Sequence, residues 1–292
     1  MIGWEVLKVY IGLGRLTKGR PPVQSWCRVR CCVPSRHPWK IDVGAGFKPV
    51  PTWRIATTSN RQCLLLEMGL VEYGEAFRLQ RAVADARDAG SIPDVLILLQ
   101  HSPVVTLGRR ANRANIVADE DLLRREGVAL HQSTRGGDVT YHGPGQIVGY
   151  PILKLRELRL GAAAYVHGLE AVLIDLLGGF GLEGRIDPHY IGVWVGDEKV
   201  AAIGIAISGG ITMHGFALNV EPNLSHFRLI NPCGITDRGV TSMARLLGRS
   251  VPLDEVRPRL VESFARTFDV EIEQCDPSLL VAAGAALPGQ LL

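Results

Sequence analysis

Residues 190–220 read YIGVWVGDEKVAAIGIAISGGITMHGFALNV. Three strand-like runs, YIGVWV, KVAAIGIAI and ITMHGFALNV, are separated by Gly196-Asp197-Glu198 and by Gly209-Gly210. The second separator is a two-residue link whose central positions need positive φ, which glycine adopts without steric cost. The spacing therefore predicts an antiparallel meander of three strands.

Working outward, QCLLLEMG from Gln62 reads as a strand and residues 73–90 as a helix with Ala76, Leu79, Val83 and Ala86 on one face, closed by Gly90. DVLILLQH, from Asp94, has five consecutive apolar residues and too little length for a helix, which marks a buried strand. A short helix is expected over 119–126, then strands in VALHQST and GQIVGYPIL. Residues 161–177 form the clearest helical pattern, with Val166, Leu169, Leu173 and Leu176/Leu177 inward, and helices close the chain at 240–248 and 253–268. Strands and helices alternate without a βαβ rhythm. The expected class is α+β, with a mixed or antiparallel central sheet and helices packed on it.

Three regions are expected: a basic extension (1–60), a main domain (61–270) and a C-terminal tail (271–292). Ten Lys/Arg against two Asp/Glu precede residue 61, leaving 22 against 27 in the remainder. The net charge of +3 thus belongs to the extension, and the mildly acidic main domain gives no support for nucleic-acid binding. The extension reads as a disordered segment, as residues upstream of the true start, or as a transit peptide. Its Cys27, Cys31 and Cys32 have no second pair at zinc spacing. Cys63, Cys233 and Cys275 form no disulfide framework, which fits the reducing cytoplasm. No apolar run approaches the ~18–20 residues that span a bilayer, so a soluble protein is expected.

Two residues stand out for chemistry. Cys233, in LINPCGITDRGVTSM, lies between a restricting proline and a permissive glycine. It reads either as a small buried hydrophobe or as a nucleophile. A free thiol, with a pKa near ~8.5, needs an activating cation to be a thiolate at neutral pH. Lys199 opens an apolar strand, where a solvated surface lysine is the ordinary reading and a partly desolvated base the sharper one. His142 reads as a base for the thiol, a substrate-positioning group or a turn cap. The glycines of RGGDVTYHGPGQ (135–146) match neither GxxxxGK[ST] nor GxGxxG, and are better suited to letting backbone approach a slim ligand. No His/Asp/Glu spacing makes a metal site.

Together, RGGDVTYHGPGQIVGYPI, GVWVGDEKVAAIGIAI, HGFALNV and INPCGITDRGVTSM resemble, in order and spacing, the lipoyl(octanoyl) transferases. The resemblance runs from about Cys63 to Phe268. It implies a biotin/lipoate ligase-like catalytic domain with a smaller second sheet. Cys233 corresponds to the nucleophile that carries the acyl group as a thioester, and Lys199 to the lysine that lowers its pKa and serves as base. The implied substrate pocket comprises Arg135, Gly136, Gly137, Asp138, Val139, Thr140, Tyr141 and His142, with Ala202, Ile203 and Gly204, and with Gly215, Phe216 and Ala217. Arg135 and His142 are expected at its polar mouth.

The implied donor is octanoyl-acyl carrier protein, and the acceptors are lipoyl domains of 2-oxo-acid dehydrogenase complexes and the glycine-cleavage H protein. No cofactor, nucleic acid or membrane is implied, and a monomer is expected. Arg109, Arg110 and Arg113, or Lys154, Arg156 and Arg159, are candidate docking cations. Alternatives are an ATP-dependent lipoate or biotin ligase, or a lipoyl-relay amidotransferase, of the same fold. One tension remains in the sequence: in a regular strand Lys199 points away from Ala202 and Gly204. The strand must twist or bulge there, or the pocket must meet Gly204 through its backbone.

Overall fold

The computed structural model describes residues 61–232, 238–282 and 284. The expected extension over 1–60 and the candidate nucleophile Cys233 lie outside the described residues.

The chain order is β1 (Gln62–Val71), α1 (Tyr73–Asp88), β2 (Asp94–His101), β3 (Val104–Leu107), α2 (Glu120–Arg125), β4 (Ala129–Gln132), β5 (Val139–His142), β6 (Gln146–Ile152) and α3 (Ala162–Gly178). It continues with β7 (Arg185–Ile186), β8 (Val193–Val195), β9 (Glu198–Ser208), β10 (Ile211–Asn219), β11 (Gly239–Val240), α4 (Met243–Leu247), α5 (Leu253–Phe268), β12 (Glu271–Gln274) and α6 (Pro277–Ala282). Among the described residues a nine-stranded sheet runs β12-β1-β2-β6-β10-β9-β8-β7, with β11 on β9, and a three-stranded sheet runs β4-β3-β5. Parallel pairs at β12-β1-β2 and antiparallel pairs from β2 to β7 make the large sheet mixed, as the class reading requires.

The meander is present as β8-β9-β10. Ser208 and Ile211 pair across Gly209-Gly210, whose φ values of 61° and 91° are those the two-residue link demands. Two helical layers cover the large sheet. On one face α3 and α5 bury Tyr165, Leu169, Leu173, Leu260 and Phe264. On the other, α1 buries Ala76, Leu79, Val83 and Ala86, as its periodicity predicts. Each large aliphatic side chain so buried contributes about 1.5–3 kcal/mol. The inward stripe of α3 is led by Tyr165 rather than Val166, which is half-buried. The expected tail opens with β12, which adds to the sheet edge beside β1. Among the described residues, no helix is long and apolar enough to cross a membrane.

Candidate active site

The glycine-rich segment enters the site as a loop laid on the meander. Arg135 and Gly136 follow β4, and the Gly136 N–H donates to the Ile205 carbonyl on β9 (2.8 Å). The approach requires the smallest side chain at the facing strand position. A Cβ on Gly204 would lie 3.2 Å from the Gly136 carbonyl oxygen and 3.3 Å from the Arg135 Cδ. Gly137, at φ 86°, then turns the chain into β5 in a conformation that L side chains rarely adopt. The backbone of 135–137 thus forms the roof of a cleft.

The floor is a block of small residues. Across β9 and β10, Ala202 pairs with Ala217 and Gly204 with Gly215. The space between roof and floor is about 560 Å³, including the part open to solvent. Arg135, Gly136, Gly137, Thr140, His142, Lys199, Ala202, Ile203, Gly204, Gly215, Phe216 and Ala217 all line it, together with Tyr73, Val148, Tyr150, Ile191 and His214. A second, smaller cleft shares Thr140, Lys199, Ala202 and Ala217 with the first and extends to Pro232, the residue before Cys233.

Three residues of the expected pocket lie elsewhere than in this main cleft. Alternation along β5 aims Thr140 and His142 one way and Val139 and Tyr141 the other. Val139 is in the core under the small sheet, and Tyr141 lines the second cleft. The Asp138 carboxylate accepts from the Asn112 N–H (2.8 Å) and the Asn115 amide, holding the loop after β3 against the roof.

A bulge in β9 places Lys199 on the cleft side. Val193 pairs with Ala201 while Trp194 pairs with Lys199, so β9 carries one residue more than its partner. Val200 and Ala201 consequently both enter the core, and Lys199 and Ala202 both face the cleft. The side chain of Lys199 is buried to 9 % exposure. Its Nζ donates to the Ile191 carbonyl (3.1 Å) and sits 4.8 Å from the Trp194 ring centroid. Both contacts favour the ammonium form.

Arg135 and His142 are buried, each 7 % exposed, instead of standing at an open mouth. The Arg135 guanidinium reaches down to the Thr106 carbonyl (2.6 Å) and hydroxyl (2.9 Å) on β3, which fixes the roof to the small sheet. Burial, with the positive charge of Arg135 nearby, holds His142 well below the usual imidazole range. His142 is therefore neutral, and a chain of side-chain bonds runs from it through Gln146 to Asn219. The Asn219 amide donates in turn to the Thr241 carbonyl (2.9 Å), and the Thr241 N–H to the Lys199 carbonyl (3.0 Å).

The far wall, from Tyr73, Tyr150 and His214, is aromatic and was not foreseen in the sequence, and His101 backs it from behind Tyr150. His101 donates Nδ1–H to the Val71 carbonyl (2.9 Å) and accepts at Nε2 from the Tyr150 hydroxyl (2.6 Å). Burial lowers its pKa to about 4. His214 is 2 % exposed, with φ 57°, a backbone state that costs a non-glycine residue about 1–2 kcal/mol. Burial, then the charges of Arg135 and Arg109, lower its pKa to about 3. Among the described residues no cluster of three or more His, Cys, Asp or Glu is arranged to hold a metal ion.

A slim, roofed, largely apolar slot with one buried ammonium at its end suits the binding of an acyl chain whose carbonyl carbon is to be attacked. Residues 72–265 match the lipoyl protein ligase A/B catalytic domain model, and the chain belongs to that family. Within it the chain is similar to octanoyltransferases. It is 49% identical to that of Solibacter usitatus over 73% of this chain and 96% of that protein. It is 46% identical to that of Desulforamulus reducens over 73% of this chain and 94% of that protein. The fold is that of lipoate-protein ligase A bound with ATP, at a TM-score of 0.61 and 18% identity, covering 77% of this chain and 94% of that one. A putative lipoate protein ligase from T. acidophilum with bound lipoic acid aligns at a TM-score of 0.58 with 18% identity, over 77% of this chain and 94% of that one.

Proposed function

We propose that the chain transfers an octanoyl group from an acyl carrier protein to the lysine ε-amine of a lipoyl domain, through a thioester on Cys233. Octanoyl transfer is the activity named for relatives 44–50% identical over two thirds or more of this chain. The observation that carries the mechanism is the bulge in β9, which sets the Lys199 ammonium where the acyl cleft meets the cleft ending at Pro232.

In the first step the ammonium lowers the pKa of the Cys233 thiol. The thiolate attacks the donor's carbonyl carbon, the carbonyl–sulfur bond to the carrier breaks, and the carrier sulfur leaves as a thiol with the proton of the Lys199 ammonium, which becomes a neutral amine. In the second step a neutral lysine amine attacks the Cys233 thioester. The amide C–N bond forms, Cys233 leaves as thiolate, and the now neutral Lys199 amine takes the proton lost from nitrogen, which restores its ammonium. Thioester exchange is nearly isoenergetic and amide formation is downhill, so the sequence needs no ATP. Burial of about seven methylenes on the Ala/Gly floor supplies roughly 5–6 kcal/mol of binding.

Arg135 shapes the slot from beneath the roof, and the backbone of 135–137 meets the chain. The acceptors in this reading are lipoyl domains of 2-oxo-acid dehydrogenase complexes and the H protein. The working unit is a monomer of residues 61–270 in the cytoplasm, a compartment in which Cys63 and Cys275, both free, stay reduced.

Intact-mass spectrometry of the full chain with octanoyl-carrier protein and no ATP tests this. One added octanoyl group, absent in Cys233→Ala, is the expected result. Transfer that occurs only from free octanoate with ATP sinks the thioester route and restores the ligase alternative.

A further inference from the structure

His214 departs from the alternation of its own strand. On β10, Met213 and Ala217 pack toward the α1 face of the sheet, and Phe216 and Leu218 toward the α3 face. Alternation assigns His214 to the α3 face with Phe216. Its ring instead stacks on Phe77 of α1, with centroids 5.7 Å apart and planes 8° from parallel, and it lines the cleft. The positive φ of 57° re-aims the side chain. Three neighbours hold it there besides Phe77. Gln80 Oε1 accepts the His214 N–H (2.8 Å), Thr134 Oγ1 lies 2.8 Å from Nε2, and the Tyr150 ring meets the imidazole edge-on at 6.4 Å. Strain kept in place by so many contacts points to a function for the side chain.

Position suggests which function. The small floor residues run along β10 from Ala217 back to Gly215, and His214 follows at once. Ala217 pairs with Ala202, in the part of the floor shared with the cleft that ends at Pro232. His214 pairs with Ile205, which lies six residues along β9 from Lys199 and three residues, about 10 Å at strand rise, past Ala202. We propose that His214 is the end wall of the acyl slot and sets the length of chain the enzyme accepts. This assignment rests on the acyl-transfer reading above. Buried and neutral, the imidazole presents a ring face against which a terminal methyl can end, with no charge to desolvate.

The substitution that tests this is His214→Gly, because glycine takes the left-handed backbone without strain and removes the wall. The full chain is assayed with octanoyl-, decanoyl- and dodecanoyl-carrier protein and one lipoyl-domain acceptor, and kcat/KM is compared between donors. Wild type is expected to favour octanoyl, and His214→Gly to raise the dodecanoyl-to-octanoyl ratio by about tenfold or more. His214→Asn keeps a residue tolerant of this φ with a shorter side chain, and is expected to give an intermediate ratio. Either variant, folded and with wild-type selectivity, overturns the assignment. Wild type that transfers no acyl group from any carrier without ATP refutes the underlying acyl-transfer reading instead.

Discussion

Lys199 shows how far a single residue's surroundings decide its chemistry. A lysine just past a turn is ordinarily solvated, yet here the ammonium lies under a carbonyl and beside an indole ring. Both contacts favour the charged form, and the proposed mechanism requires a cation at the cleft junction to activate the Cys233 thiol. Lys199→Met keeps the apolar stem and removes the charge. It is expected to move the Cys233 pKa up toward ~8.5 and to slow alkylation of that thiol at pH 7 by about tenfold. The measurement is the pH profile of iodoacetamide labelling, read at Cys233 by peptide mass. An unchanged profile means that Lys199 does not set the thiol's protonation. The candidacy of Lys199 was legible in the sequence because an apolar run follows it. The indole above it was not, since the pairing of Trp194 with Lys199 depends on a register that composition does not encode.

At the scale of elements, the sequence carried the hairpins and helical faces and failed where one residue breaks a period. Gly209-Gly210 demanded its turn, and Ala76, Leu79, Val83 and Ala86 demanded their helix face. Strict alternation, by contrast, set Lys199 against Ala202, and only the extra residue in β9 reconciles them. β3 was missed because VVTL is four residues between turn formers, too short to display a period. Two glycines of the meander separate the roles of floor and frame. At Gly215 an added Cβ would collide with the Gly149 carbonyl of β6, rigid backbone that can move only by parting β6 from β10. At Gly204 it would meet the Gly136 carbonyl oxygen at 3.2 Å, and the roof loop can yield by a few tenths of an ångström. Gly215→Ala is therefore expected to lose about 2 kcal/mol or more in urea unfolding, within the range for overpacked cores. Gly204→Ala is expected to lose less stability and to raise KM for the acyl donor while the protein stays folded. Equal stability losses in the two variants contradict this division.

For the whole molecule, the slot has a consequence in acid. Burying His142 and His214 at the cleft, and His101 behind Tyr150, lowers all three pKa values, through burial before any other cause, to about 4 for His101, about 3 for His214 and well below normal for His142. In the unfolded chain each titrates near 6.5. Between about pH 6.5 and pH 4 the unfolded chain therefore binds protons there that the folded chain refuses, and stability falls as pH falls through that window. Each such histidine contributes a slope of about 1.4 kcal/mol per pH unit. His167 acts in the opposite sense. Its bond to Glu170 raises its pKa, so its contribution is present below about 6.5 and lost as pH rises through the folded value. The His167 side chain is 59 % exposed, however, and solvent screens that contribution. Three buried imidazoles thus outweigh one exposed ion pair, and urea midpoints are expected to drop steeply from pH 7 to pH 5. His101→Gln removes one titrating group while leaving an amide able to meet Val71 and Tyr150. Its slope should be shallower than wild type by close to one proton. A wild-type midpoint that stays level across this range would mean that the three histidines are charged in the folded protein.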